Sequence, residues 1–209
     1  MHGVPGERSR SLLLRPRRTV RGHPEWHILG DALEAVKGGS VTTMDGQTHE
    51  VGKWDLLIAH PPCTYLTNAG ARHLWKDGRL QPDRVIKGIS ARDLFMRFWC
   101  ADIPRVVIEN PVPSKIFNLP EYSQIVQPFQ FGHAVTKKTC LWLKGLPLLL
   151  PTNIVEPIKG REMTLKNGTK RRSCWEMDIK GSKEERAKAR SKTFPGIAAA
   201  MAEQWGGDI

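Results

Sequence analysis

Two short apolar runs, each closed by proline, stand out along the chain: Leu56-Leu57-Ile58-Ala59 ahead of His60-Pro61-Pro62-Cys63-Thr64, and Val106-Val107-Ile108 ahead of Glu109-Asn110-Pro111. Apolar runs of this length, bounded by turn formers, read as buried strands of a parallel sheet rather than as helices. Two consecutive prolines fix φ and bar the residue before each from helix, so Cys63 is delivered on stiff backbone at a strand's carboxyl end. In open α/β sheets that end is where ligands and chemistry sit. The bland alternative is that Cys63 is one more buried small hydrophobe. The 46 residues from Cys63 to Glu109 leave room for one crossover helix, as a right-handed βαβ unit requires. Adjacent parallel strands would then bring the thiol and the carboxyl to one sheet edge. Residues 86–100 supply that helix: Ile89, Leu94, Phe95, Phe98 and Trp99 recur at three- and four-residue spacings. That pattern predicts an apolar face on the sheet, with Arg84, Lys87, Arg92 and Arg97 mainly on the solvated side.

The remaining pattern is shorter in wavelength. Residues 26–36 read as a strand, a turn and a short helix for which Asp31 is a good N-cap. Residues 37–53 form a turn-rich link or small hairpin around Asp45-Gly46. Thr64 to Asp77 is a mixed loop holding Tyr65, Asn68 and Trp75. Ser114 opens a short helix, residues 125–131 are extended, and Lys137 to Leu143 alternate into a strand. The clearest local signal is a hairpin from Met163 to Arg172 turning at Asn167-Gly168, decorated by Lys166, Lys170, Arg171 and Arg172. It is either an ordinary surface ribbon or a contact for DNA. Ser182 to Glu185 is a capping box, and Phe194 to Trp205 a final helix with proline at its start and two glycines after its end.

At 209 residues, with 40% hydrophobic content and seven tryptophans, the sequence supports one domain with a real core. It holds no apolar run long enough to span a bilayer and no secretory h-region. The four cysteines lack Cys-x-x-Cys spacing, which argues against structural zinc and for a reducing cytoplasm; Cys100 and Cys140 sit in apolar surroundings and read as core. A net charge of +11 suits a polyanionic partner, nucleic acid above all, although generic solubility explains it too. Residues 1–22 are arginine-rich and read as a basic arm, loop-like or disordered.

Pro61-Pro62-Cys63 after one strand and Glu109-Asn110-Pro111 after the next resemble the two catalytic motifs of C5-cytosine DNA methyltransferases. The wording around them, His60-Pro-Pro-Cys-Thr-Tyr-Leu and Ile108-Glu-Asn-Pro with Gln130-Phe-Gly-His133 downstream, is similar to short phage and prophage members of that superfamily. The resemblance covers roughly residues 22–155 and the C-terminal helix. It implies an α/β fold: a Rossmann-like class I methyltransferase sheet, mainly parallel, with helices on both faces and incomplete at the N-terminus. Residues 23–155 and 183–209 would form that domain, with 156–182 a basic hairpin insert. The family's opening strand with its glycine turn, and the second strand ending in an acid, are not recognisable here.

The resemblance implies S-adenosylmethionine as cofactor, cytosine in DNA as substrate, and a cytoplasmic setting in a bacterium or phage-infected cell. Cys63 would add to C6 of the base, and protonated Glu109 would hold N3 and the exocyclic amine. C5 would then accept the methyl group. Asp31 of Gly30-Asp31 would receive the adenine amine, with Pro61, Thr193 and Phe194 lining the cofactor pocket. Pro62, Thr64, Asn110 and Pro111 would shape the base pocket. Lys138 stands where relatives place an arginine on the pyrimidine carbonyl, without arginine's bidentate fork. Two further readings are a catalytically impaired DNA-binding remnant and an enzyme acting on a free pyrimidine nucleotide. A hydrolytic or redox nucleophile, with His60 as base to Cys63, is the last; three residues of stiff turn do not guarantee their contact.

Overall fold

The computed structural model describes residues 23–28, 30–164, 167–173, 179–182, 184–186, 189 and 193–207, and the backbone alone of Leu13–Leu14 and Arg171. In chain order the strands are β1 (Leu13–Leu14), β2 (His27–Ile28), β3 (Gly39–Thr42), β4 (Thr48–Val51), β5 (Leu56–Ala59), β6 (Trp75–Lys76), β7 (Arg79–Leu80), β8 (Arg105–Pro111), β9 (Gln124–Val126), β10 (Thr139–Lys144), β11 (Glu162–Thr164) and β12 (Lys170–Arg172). The helices are α1 (Ala32–Ala35), α2 (Asn68–Ala71), α3 (Pro82–Trp99) and α4 (Pro195–Trp205).

The central sheet has four strands in the order β5-β8-β10-β9. β5 and β8 run parallel, pairing Leu56 with Arg105 through Ala59 with Ile108. β8–β10 and β10–β9 are antiparallel. This overturns the expected mainly parallel, Rossmann-like sheet. The reason lies in the connections. Parallel neighbours need a crossover of a dozen or more residues, usually a helix, and the link from β5 to β8 has one in α3. Beyond β8 the described links carry only single 3-10 turns, at Lys115–Phe117 and Pro128–Gln130, so the strands fold back on one another. β1 and β2 pair in parallel with each other but are no part of this sheet.

Alternation along β8 divides the core in two. Val106 and Ile108 point to one face and pack with Cys140, Trp142, Phe95 and Phe98, under α3. Val107 points to the other and packs with Leu141, Val126, Leu149 and the buried stripe Ile197, Ala200, Met201, Trp205 of α4. Each large side chain so buried is worth roughly 1.5–3 kcal/mol of transfer free energy. Arg105, at the start of β8, fastens the far end of α4: its Nη1 donates to the carbonyls of Trp205 (3.3 Å) and Gly207 (3.2 Å). Those carbonyls lack helical partners, and a cation suits the negative end of a helix.

α3 starts on Pro82, which fits the first turn of a helix, and carries an Arg97–Asp93 pair at 2.8 Å. Leu94, Phe95, Phe98 and Trp99 face the core as expected, but Ile89 does not: it is 57% exposed, and Ile86 is exposed beside it. Gly88 takes the inward place instead, with the ring of Phe117 resting against it. Arg84 is not simply solvated: its Nη2 donates to Gly70 O at 3.3 Å and its guanidinium lies 5.1 Å from the centroid of the Tyr65 ring. Cys140 is core as expected, but Cys100 is exposed, because it caps α3 one position past the last buried turn.

The local signals fold as their chemistry dictates. β3–β4 is a hairpin around Asp45-Gly46, and β11–β12 one around Asn167-Gly168. Ser182 and Glu185 form the reciprocal capping pair, Ser182 N donating to Glu185 Oε2 at 2.7 Å and Glu185 N to Ser182 Oγ at 3.1 Å. Among the described residues no helix is long and apolar enough to cross a membrane.

Candidate active site

The site is built where β5 and β8 end side by side. Their register pairs Ala59 with Ile108, so the next residues, His60 and Glu109, stand abreast on the α4 side of the sheet. His60 Nδ1 and Glu109 Oε2 lie 2.9 Å apart, a hydrogen bond in which an imidazole N–H or a carboxylic O–H donates. The His60 side chain is 42% exposed, whereas that of Glu109 is only 14% exposed.

One residue on, the strands are tied again from the opposite face. Asn110 is buried and its Nδ2 donates to Pro61 O at 3.2 Å. Asn110 Oδ1 is buried with no donor among the described residues. Pro61 is buried and Pro62 exposed. Cys63 follows, half-buried. Its carbonyl accepts from Leu66 N (3.1 Å) and Thr67 N (3.3 Å), which turns the chain back at once. Thr67 caps α2, and Ser114 N donates to Leu66 O at 2.7 Å. The loop after Cys63 is thereby fastened to the loop after Pro111. Gly70 sits so close to Thr64 O that a Cβ there would lie 1.9 Å away, so the turn admits no side chain at that point. Thr64 is exposed and Pro111 half-buried.

From β10, Cys140 faces Asn110 and Leu141 faces Glu109. Burial, and then the charge of Glu109, push the Cys140 thiol up to about 11, against a smaller opposing pull from Lys138. Lys138 is exposed just before β10, on the same rim as Glu109. Lys137, its neighbour, has Nζ 5.8 Å from the centroid of the Phe194 ring, and His133 Nε2 accepts from Gly196 N at 3.0 Å at the start of α4.

The sequence-named residues therefore fall into groups. Cys63, Pro61, Pro62, Thr64, Glu109, Asn110 and Pro111 meet at one pair of strand ends, with Lys138 on the rim. Thr193 and Phe194 belong to the α4 start, half-buried. Asp31 is an N-cap, its Oδ1 accepting from Leu33 N at 2.8 Å, at the start of α1, whose Ala32 and Leu33 pack against the α3-side core while Ala35 joins the small cluster of Ile28 and Val41. For His60 the contact described is to Glu109, through Nδ1. Sequence reasoning passed over that contact, although the two residues occupy equivalent places at the strand ends. In the hairpin, Lys170 is exposed, and Arg172 is exposed with Nη1 3.4 Å from Gly160 O. Lys166 lies outside the described residues.

The resemblance would seat S-adenosylmethionine on a glycine turn after a strand beside β5 and on an acid at the next strand end. β5 is an end strand of the sheet among the described residues, and Asp31 has one carboxylate oxygen committed to the cap of α1. The described residues do not make that cradle. The cavity of about 580 Å³ bounded by Leu33, Val36, Lys53, Trp54, Arg97 and Asp102 includes none of the named cofactor positions. None of the family models, curated proteins or solved structures compared with the chain matches it.

Proposed function

We propose that the protein activates cytosine in DNA for substitution at C5, through a covalent bond between Cys63 and C6, in the manner of C5-cytosine methyltransferases. The methyl donor the resemblance implies is S-adenosylmethionine; the steps below run on this chain's own residues. The observation that supports the reading is the double tie between the strand ends, Glu109 to His60 and Asn110 to Pro61, which holds the part-buried carboxyl at the same pair of strand ends as the turn carrying the half-buried Cys63.

The chemistry follows from those groups. C5 of cytosine is a weak nucleophile until a thiolate adds at C6. The S–C6 bond forms, the C5=C6 electron pair moves toward N3, and protonated Glu109 gives its proton to N3. The resulting enamine is nucleophilic at C5. It takes a proton there from water; the hydroxide so formed removes the original C5 hydrogen, N3 returns its proton to Glu109, and expulsion of the thiolate restores cytosine. On duplex DNA the base first leaves the stack, at a cost of a few kcal/mol. The basic hairpin would hold phosphates nearby.

Hydrogen exchange at C5 tests this without any methyl donor. In D2O, wild-type protein is expected to place deuterium at C5 of cytosine in an oligodeoxynucleotide, read by mass spectrometry. Cys63→Ser is expected to abolish exchange while leaving salt-sensitive DNA retention nearly unchanged. Absence of exchange with wild-type protein overturns the proposal. Trapping on 5-fluorocytosine DNA and calorimetric titration of S-adenosylmethionine then test the methyl transfer itself; no binding at millimolar cofactor removes that part. A second reading, the DNA-binding remnant, draws on the end position of β5 and predicts retention without exchange. Exchange on free deoxycytidine monophosphate but not on DNA would mark the nucleotide-modifying alternative.

A further inference from the structure

We infer that the β6–β7 hairpin is a seat for unpaired DNA, Trp75 stacking on a base face while Lys76 and Arg79 hold phosphates. The inference rests on the DNA part of the reading above and not on the Cys63 chemistry. Asp77 and Gly78 turn the chain at positive φ (50° and 72°), the two-residue geometry that Asp-Gly favours. The register sets Trp75 directly across from Leu80, and Lys76 directly across from Arg79. Opposed side chains share a face, so one face of the ribbon is apolar and the other cationic. Both are open: Trp75 is 52% exposed and Leu80 49%, and Lys76 and Arg79 are exposed too. Like charges directly opposed weaken a strand pair, and among the described residues neither cation is in an ion pair. The ribbon is nevertheless firmly based. Leu74, at its foot, is buried, and Gln81 N donates to Leu74 O at 2.7 Å where α3 begins. Residues 72–87 hold Arg72, Lys76, Arg79, Arg84 and Lys87 against only Asp77 and Asp83.

An anionic chain that also offers flat apolar rings answers both faces at once. Nucleic acid is such a chain, and base–aromatic stacking beside phosphate contacts is how single strands are held. In a duplex each base face is already covered by its neighbour, so an open indole finds its partner on an unpaired strand. The long Lys and Arg stems reach around the ribbon to phosphates that flank the stacked base. An acidic protein would satisfy the cations and leave the indole bare.

The full chain is titrated with one oligodeoxynucleotide, as a single strand and as its duplex, at several salt concentrations. Trp75→Ala is expected to weaken single-strand binding about 10-fold, the size of one lost stack, while duplex retention, which the β11–β12 hairpin would carry, stays as it was. Trp75→Phe keeps a ring face and most of the affinity. Trp75→Leu keeps apolar area alone and is expected to lose as much as alanine. Replacing Lys76 and Arg79 together with alanine should flatten the dependence of log affinity on log salt for the single strand by about 1.4, the share of two phosphates. These positions are exposed, and thermal melts verify folding. Wild-type single-strand affinity in Trp75→Ala, equal losses on both forms of DNA, or Trp75→Leu binding as well as Trp75→Phe overturns the inference alone. A loss seen only on phosphatidylserine vesicles assigns the hairpin to a membrane surface and overturns it too. A Trp75-dependent preference for single strands in wild-type protein that performs no C5 exchange leaves this inference standing and removes the Cys63 reading.

Discussion

Asn110 donates from Nδ2 to the carbonyl of Pro61 at 3.2 Å, across 49 residues of sequence and inside the protein. This single bond joins the proline turn that presents Cys63 to the strand that presents Glu109. Asn110→Leu removes the donor and leaves Pro61 O unpaired beside an apolar group, an expected loss of about 1–3 kcal/mol. Asn110→Asp is expected to cost more, because it sets a second acceptor, ionised and buried, against the carbonyl. Urea unfolding of the two variants checks the order, leucine above aspartate. C5 exchange should drop in both, since the thiol is no longer held by its turn.

Much of this site was legible because it depends on local rules. The apolar runs gave β5 and β8, the two prolines gave the stiff turn, and the 46-residue interval gave the crossover helix and hence the parallel pair. What failed was extrapolation from one parallel pair to a whole sheet. Antiparallel pairing of β8 with β10 is set by the lack of a long helical crossover, which no single strand's composition reveals. The apolar pattern of α3 placed Leu94, Phe95, Phe98 and Trp99 but misplaced Ile89, for a related reason: a glycine contributes nothing to such a pattern, yet Gly88 is the residue that Phe117 packs against in that first half of the helix. The His60–Glu109 and Arg84–Tyr65 contacts needed register and packing, neither of which spacing supplies.

Gly88→Ala sets helix propensity against packing. Alanine favours a helix interior by about 1 kcal/mol over glycine. A Cβ at this position, however, would lie 2.0 Å from Cζ of Phe117, a buried ring held by the core around it. Overpacking of this kind typically costs about 1–3 kcal/mol, so the clash wins. The expected result is a lower melting temperature for Gly88→Ala, with much of the loss recovered in Gly88→Ala/Phe117→Leu, where the shorter side chain makes room. A stabilised single variant would show that α3 and the Lys115–Phe117 turn are not packed in this way.

Cys140 gives stability a pH dependence on the alkaline side. Burial raises its thiol from 9.0 to about 11, with the charge of Glu109 adding to the effect. Below the unfolded value both states keep the proton and folding is indifferent to pH. Between about 9 and 11 the unfolded chain releases this proton while the folded one retains it, so this contribution is lost as pH rises through the window. Cys140→Ala deletes the contribution and also the packing of sulfur. It is expected to be less stable than wild type at neutral pH, with a flatter fall in stability from pH 9 to 11, measured by chemical unfolding at each pH. An unchanged slope would mean that the thiol titrates no differently in the folded protein.

The hairpin makes a separate claim, about affinity rather than chemistry. Lys170 and Arg172 are exposed on β12, with Lys166 and Arg171 beside them in sequence. If all four sit on phosphates, each releases close to one counterion, so replacing them together with alanine should flatten the dependence of log affinity on log salt by about 3 to 4. Exposed positions tolerate such changes with little effect on stability. Binding to a random duplex, measured at several salt concentrations, should therefore weaken most at low salt and converge with wild type at high salt. C5 exchange on a single nucleotide should stay as it was, since the strand-end residues are untouched. A parallel displacement of the salt curve, or none, would assign the DNA-binding charge to some other part of the surface.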